Sequence, residues 1–137
     1  MPYPGIKLFD LHGRTALVTG GSKGLGKVIA AGLASAGASI AVASRHGSEA
    51  REAAEEIAAD HGGKALGIEA DVTNPGQVES MIASTRESLG SVDILVNSAG
   101  INTRGAIEDI TLEQFEELMQ INVTGTWLCC KNVIPVM

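Results

Sequence analysis

The sequence predicts an α/β fold with a doubly wound parallel sheet, and two observations predict it. Short apolar runs alternate with amphipathic segments of ten or more residues, a pattern typical of βαβ units. A glycine-rich turn at residues 19–26 joins the first apolar run to the first amphipathic segment. Because crossovers between parallel strands are right-handed, we expect the strand order 3-2-1-4. This domain is predicted over residues 14–137, behind an irregular N-terminal arm at residues 1–13 that Phe9 and Leu11 pack onto the domain.

The four predicted strands are short and nearly all apolar, as expected for strands covered on both faces of a parallel sheet. Each is followed by polar residues or glycine. Ligands of open α/β sheets bind beyond the carboxyl ends of the strands, where the strand order reverses. We therefore expect a ligand site between the first and fourth strands. The predicted strands are residues 15–19, 38–44, 64–70 and 92–97.

The predicted helices are bounded by capping residues and by glycines. The first, residues 24–35, is expected to carry its large apolar side chains on one face, because they recur at helical spacing. Gly37 ends this helix, and Gly90 ends the third. The apolar residues of the first helix are Leu25, Val28, Ile29 and Leu33. The expected caps are Ser48 before residues 49–61, Thr73 or Asn74 before Pro75, and Thr111 with Gln114 in a capping box.

The glycine-rich turn allows three interpretations. Gly20, Gly24 and Gly26 have the spacing G-x-x-x-G-x-G, which indicates a dinucleotide site although its first gap is one residue wider than usual. Residues 21–27 nearly match a nucleotide-triphosphatase loop, but the next residue is Val28, which has no hydroxyl to bind Mg²⁺. That interpretation is disfavoured. The third is a turn that binds no ligand.

Composition excludes several other classes of protein. Of the 137 residues, 45% are apolar and 19% charged, which is typical of one globular domain. The net charge is −6 and there is no basic patch, so nucleic acid is not an expected partner. No apolar run reaches the ~18–20 residues that span a bilayer. The two cysteines, Cys129 and Cys130, are adjacent and too few for a metal site, so we expect no metal and a cytoplasmic location.

Four motifs in order give the chain a recognisable pattern. It resembles the short-chain dehydrogenase/reductase family, which implies a Rossmann-type fold, a nicotinamide cofactor, a small carbonyl or alcohol substrate and a homo-oligomer when intact. The general pattern is similar to 3-oxoacyl carrier-protein reductases and to glucose or sugar-acid dehydrogenases, without separating them. The motifs are Thr19-Gly20-x-x-x-Gly24-x-Gly26, Asp71-Val72, Asn97-Ser98-Ala99-Gly100 and Asn122-Val123.

The resemblance also implies a role for each matching residue. The turn from Gly20 to Gly26 would hold the pyrophosphate, lined by Ser22, Lys23 and Leu25. Asp71 and Val72 would contact the adenine, while Asn97, Ala99 and Gly100 would flank the adenosine ribose. Asn122 would support catalysis by helping to place a relay water and the family's lysine.

The end of the second predicted strand favours NADP(H) over NAD(H). NAD sites commonly place an acid there to bind the ribose 2′-hydroxyl. Here the sequence is Ser44-Arg45-His46, and no acid appears before Glu49. A guanidinium can bind a phosphate through paired hydrogen bonds, and Lys23 supplies a second positive charge.

The family's catalytic serine and Tyr-x-x-x-Lys have no counterpart here. The only tyrosine is Tyr3, far upstream of the expected position. We therefore expect the amino-terminal half of a family member, with later strands absent and no dehydrogenase turnover by this chain alone. Natural truncation, a frameshift and an expressed fragment all remain open. The alternative is a non-catalytic dinucleotide-binding module.

Overall fold

In the computed structural model, which describes residues 5–137, four strands form one parallel sheet in the order β3-β2-β1-β4. The predicted order is thus confirmed. Part of the predicted N-terminal arm, residues 1–4, lies outside the described range. The Phe9 side chain does not pack the arm onto the domain as predicted, because it is exposed, whereas Leu11 packs against the core. The strands are β1 (Thr15–Thr19), β2 (Ser39–Ser44), β3 (Ala65–Glu69) and β4 (Ile94–Asn97).

Helices follow each of the four strands, as the sequence predicts. The last two are separated by a π-helical segment, Gln120–Gly125, so that they form one continuous helical stretch. Within residues 5–137, no helix combines the length and apolar character needed to cross a lipid bilayer. The helices are α1 (Gly24–Ser35), α2 (Gly47–His61), α3 (Pro75–Leu89), α4 (Leu112–Met119) and α5 (Thr126–Val133), with 3₁₀ turns at Gly5–Phe9, Ile107–Asp109 and Ile134–Val136.

The core has two layers, one on each face of the sheet. Successive side chains of a strand point to opposite faces. Ala16 and Val18 of β1 therefore pack with α1 and α2, whereas Leu17 packs with α3 and α5. Helices on both faces make the sheet doubly wound, and the sheet holds the carboxyl ends of its strands at one edge of the molecule.

The apolar stripe predicted on α1 does not coincide with its buried face. Its small residues Gly26, Ala30 and Ala34 face the sheet. Leu25 and Val28 are 80% and 69% exposed. Helical periodicity assigns the largest apolar side chains to the core, but this helix packs so close to the sheet and the glycine turn that its buried positions hold only small residues, and Leu33 packs against the core only partly buried.

The predicted caps are correct for two helices and wrong for one. Asn74 accepts a hydrogen bond from the Gln77 amide at the start of α3. Thr111 and Gln114 form the predicted capping box of α4. Ser48 does not cap α2, since the helix begins two residues earlier than predicted, at Gly47, and its N-cap, His46, makes no side-chain capping bond.

The strand β4 lies at an edge of the described sheet and pairs with β1. It begins two residues later than predicted, because Asp93 turns its carboxylate to the backbone of β1. The Asp93 Oδ2 atom accepts hydrogen bonds from the Thr15 amide at 2.8 Å and from Ser91 Oγ at 2.7 Å. The start of β4 is thereby fixed to the start of β1.

Candidate functional site

The carboxyl ends of β1, β2 and β4 lie level and open onto one cleft. The register pairs Thr19 of β1 with Ala43 of β2 and with Asn97 of β4. The strand order reverses between β1 and β4, which is where open α/β sheets bind ligands. A cleft of about 330 Å³ lies there. This switch-point cleft is lined by Gly20, Ser22, Lys23, Leu25, Gly26, Ala43, Ser44, Arg45, His46, Ala70, Asp71, Val72, Ser98, Ala99, Gly100, Ile101 and Ile121.

The glycine turn brings bare backbone to the inner end of the cleft. Gly20 and Gly24 have φ values of +63° and +57°, which favour glycine. A Cβ atom on Gly20 would lie 2.7 Å from the amide nitrogen and Cα of Ala99. A Cβ atom on Gly26 would overlap the carbonyl oxygen of Gly20. The turn therefore packs closely against the turn after β4 and against its own backbone, and at these two positions only glycine fits.

Positive charge surrounds this turn. The first amides of any helix have no intrahelical partner. Lys23, the N-cap of α1, makes no side-chain capping bond to them. The helix dipole adds partial positive charge at the same end. Arg45 follows β2 directly and is exposed on the rim of the cleft. These features together favour an anionic ligand.

A carboxylate lies beside the same cations. Glu49, in the first turn of α2, accepts a hydrogen bond at its Oε2 atom from Ser22 Oγ, at 3.5 Å. The same oxygen lies 3.7 Å from Lys23 Nζ and 3.7 Å from His46 Nδ1. A carboxylate, that of Glu49, therefore lies beside the cations of the cleft. In the sequence it comes four residues after Arg45 and is not one of the predicted site residues.

Asp71 and Val72 form one wall of the cleft. The Oδ1 atom of Asp71 accepts hydrogen bonds from the amide and hydroxyl of Thr73, at 2.9 Å and 2.7 Å. The Asp71 amide donates to Gln77 Oε1 at 2.8 Å. Val72 is buried, and it contacts Gly125 so closely that a Cβ there would collide with it. This wall is fixed by its own contacts.

The turn after β4 forms the floor of the cleft. The Ala99 amide donates to Thr19 Oγ1 at 3.3 Å, which ties the floor to the end of β1. Ala99 and Gly100 line the cleft. Asn97 does not, because its Nδ2 atom donates to the Cys130 sulfur at 3.4 Å. The structure thus separates Asn97 from Ala99 and Gly100, although the resemblance assigns all three to the same ribose.

Asn122 lies in the π-helical segment and reaches the cleft through one neighbour. Its Oδ1 atom accepts from the Ile101 amide and its Nδ2 donates to the Ile101 carbonyl, both at 2.9 Å. These paired bonds fix the backbone of Ile101, which lines the cleft. Asn122 itself is not part of the lining.

Most of the predicted binding residues line the cleft, and three of the predicted site residues do not: Gly24, Asn97 and Asn122. Gly24 shapes the turn through its backbone angle. Sequence reasoning missed several lining residues. His46 carried a signal, since it follows Arg45 directly, and Ser98 carried one because it lies within the motif of residues 97–100, whereas the apolar residues had none beyond their position next to a motif. The missed residues are Ala43, His46, Ala70, Ser98, Ile101 and Ile121.

Comparison of the sequence with known proteins identifies its relatives. A family model described as short chain dehydrogenase matches residues 14–137. The 3-oxoacyl-(acyl-carrier-protein) reductase of Aquifex aeolicus is 35% identical over 127 residues, which are 93% of this chain and 51% of that protein. The chain therefore spans about half the length of the curated relatives it matches.

Solved structures agree with the sequence comparison. A short-chain type dehydrogenase/reductase from Mycobacterium marinum has a TM-score of 0.90 and 44% identity, over 96% of this chain and 51% of that one. A blue fluorescent protein from a metagenomic library, solved in complex with NADPH, has a TM-score of 0.84 and 37% identity, over 93% of this chain and 53% of that one. The predicted fold class and the resemblance are confirmed, and the chain belongs to the short-chain dehydrogenase/reductase family.

Proposed function

We propose that this chain binds NADP(H) in the switch-point cleft and is the cofactor-binding part of an oxidoreductase. The observation that carries the proposal is the glycine turn, where Gly20 and Gly26 leave no space for a Cβ beside the start of a helix. Such a turn fits a pyrophosphate on backbone amides. The reaction would transfer a hydride between the nicotinamide and a small carbonyl or alcohol, and the bound cofactor would supply that hydride chemistry.

The residues of the cleft divide the cofactor among them in this proposal. The pyrophosphate lies on the turn from Gly20 to Gly26, with Ser22, Lys23 and Leu25 around it. Asp71 and Val72 contact the adenine from the fixed wall. Ala99 and Gly100 lie under the adenosine ribose. Asn97, at the end of β4, lies outside the lining and supports this turn from behind. Asn122 shapes the floor by holding the backbone of Ile101.

The preference for NADP(H) rests on charge. Ser44 and Arg45 lie at the carboxyl end of β2, and Lys23 of the glycine turn lines the same cleft. A guanidinium and an ammonium beside the adenosine ribose favour a 2′-phosphate over a 2′-hydroxyl. The relative solved with NADPH supports this choice by analogy.

Isothermal titration with NADPH and NADH tests the proposal. We expect tighter binding of NADPH, and we expect Arg45→Ala to weaken NADPH binding roughly 10- to 100-fold, as for a lost hydrogen bond to a charged group. Arg86→Ala is the matched control, because Arg86 is exposed near the end of α3 and lies outside the cleft. Tighter NADH binding, or NADPH binding unaffected by Arg45→Ala, would contradict the cofactor preference.

A second candidate is a non-catalytic dinucleotide-binding module. The observation that favours it is the sequence itself, since its 137 residues contain one tyrosine, Tyr3, and no Tyr-x-x-x-Lys. In the family's reaction that tyrosine acts as the general acid. We expect this chain alone to bind NADPH without oxidising it in the presence of a broad panel of carbonyl compounds. Turnover by the purified chain would contradict this expectation.

A further inference from the structure

The carboxylate of Glu49 occupies a position that suits a bound anion. Side chains from two separate elements converge on its Oε2 atom, one through a hydrogen bond at 3.5 Å and two through longer contacts at 3.7 Å. Ser22 Oγ and Lys23 Nζ come from the glycine turn, and His46 Nδ1 comes from the start of α2. All three donor residues line the switch-point cleft. Convergent donors of this kind are typical of a site for a phosphate oxygen.

The contacts of Glu49 are weak enough to be exchanged. The three distances are 3.5–3.7 Å, and the side chains of Glu49 and Lys23 are 42% and 77% exposed. Ion pairs with this exposure contribute little to stability. A ligand with more negative charge can therefore take over the same donors, and the carboxylate must then turn away towards solvent.

We propose that Glu49 is a specificity-determining residue whose carboxylate competes with the 2′-phosphate of the cofactor for Ser22, Lys23 and His46. The inference rests on the proposed function. A phosphate monoester carries a charge of about −1.5 to −2 near neutral pH, so an adjacent carboxylate both occupies its donors and repels it. A 2′-hydroxyl is uncharged and meets neither obstacle, and the pyrophosphate that Ser22 and Lys23 also flank is common to both cofactors. Glu49 therefore lowers the affinity for the phosphorylated cofactor selectively.

Two nucleotides that differ only by the 2′-phosphate isolate this effect. Adenosine 2′,5′-bisphosphate and adenosine 5′-monophosphate are titrated calorimetrically into the whole chain and into Glu49→Gln. We expect the substitution to tighten bisphosphate binding about fivefold, the effect of one solvent-exposed charge pair, and to change monophosphate binding less than about twofold. The selective gain should largely disappear at about 1 M sodium chloride, where the screening length falls to about 3 Å.

Glu52→Gln is the matched control. Glu52 lies on the same helix, is exposed, and forms no ion pair within residues 5–137. Its substitution changes the net charge equally and should leave the ratio of the two dissociation constants unchanged. An equal gain from both substitutions would show that overall charge, and not the position of Glu49, governs the affinity, and would overturn the inference.

Failure of the inference and failure of the proposed function give different results. If the unaltered chain binds neither nucleotide, the proposed function is wrong and the inference falls with it. If both nucleotides bind but Glu49→Gln leaves their affinity ratio unchanged or shifts it towards the monophosphate, only the inference is wrong. In that second outcome Glu49 would be holding Lys23 in place for the ligand.

Discussion

A single methyl group at Gly26 should destabilise the fold through the glycine turn. In Gly26→Ala the new Cβ would overlap the carbonyl oxygen of Gly20 and lie 2.9 Å from its carbonyl carbon. Both contacts are with backbone, so no rotamer change relieves them. Either α1 or the turn must move. Overpacking of this kind costs about 1–3 kcal/mol, and a backbone neighbour places the cost near the upper value.

Helix propensity has the opposite effect on the stability of this variant. Alanine is favoured over glycine in a helix interior by about 1 kcal/mol, and Gly26, in the first turn of α1, gains at most this amount. We therefore expect Gly26→Ala to lower the free energy of unfolding by about 2 kcal/mol. Gly32→Ala is the matched control, because Gly32 lies in the same helix with nothing within 4 Å of its added Cβ. That substitution should raise the free energy of unfolding by about 0.5–1 kcal/mol.

Urea unfolding followed by circular dichroism measures both changes. The two variants should differ by about 3 kcal/mol although each adds the same methyl group to the same helix. NADPH titration of both proteins adds a functional readout, in which only Gly26→Ala should weaken binding. Equal stability of the two variants would refute the argument that close packing, rather than helix propensity, explains the glycine at this position.

Two further predictions concern ionisable groups outside the cleft. The Ser91 hydroxyl, and then the Thr15 amide, lower the pKa of Asp93 by donating hydrogen bonds to its carboxylate. Asp93→Asn should lower the free energy of unfolding by about 1–2 kcal/mol at neutral pH. A depressed pKa stabilises the fold above the unfolded-state value and ceases to do so as pH falls through the folded-state value, so urea curves of the two proteins should converge in acid. Burial, and then the charge of Cys130, raise the pKa of Cys129 to about 11, so the folded Cys130→Ser variant should resist a thiol reagent at pH 8 that modifies Cys129→Ser. Equal thiol reactivity, or a stability difference for Asp93→Asn that persists in acid, would contradict these two arguments.

The strand order and most boundaries could be predicted because they depend on local signals. The apolar run at residues 15–19 is β1 without change, and Asn74 caps α3 as its chemistry requires. Parallel strands joined by helices then leave few possible orders. Boundaries shifted by one or two residues where a long-range contact decides them. At β4 it is Asp93, whose carboxylate bonds to Thr15, 78 positions earlier in the chain.

Periodicity alone does not identify the face of α1 that packs on the sheet, and charge placement could not be predicted from local signals. Periodicity ranks residues by hydrophobicity, but α1 buries Ala30 and exposes Leu25 because the space beneath it is narrow. Glu49 lies four positions after Arg45 in sequence, and only the turn into α2 returns its carboxylate to Lys23. A prediction of cofactor preference from the end of β2 alone therefore includes the positive charges of Arg45 and Lys23 and omits the negative charge of Glu49.

Asn122 supports the shape of the proposed nucleotide site through contacts that do not involve the catalytic residues of the family. The family resemblance assigns this asparagine to the support of catalysis, and its amide makes two hydrogen bonds with the backbone of Ile101, one donated and one accepted, both at 2.9 Å. Ile101 lines the cleft, and a Cβ atom on the adjacent Gly100 would lie only 3.2 Å from Asn122 Oδ1. These contacts shape the floor of the cleft without any tyrosine or lysine. Because the floor, the wall at Asp71 and the glycine turn all lie within this chain, a nucleotide site can form here even where the groups that would carry out hydride transfer are lacking.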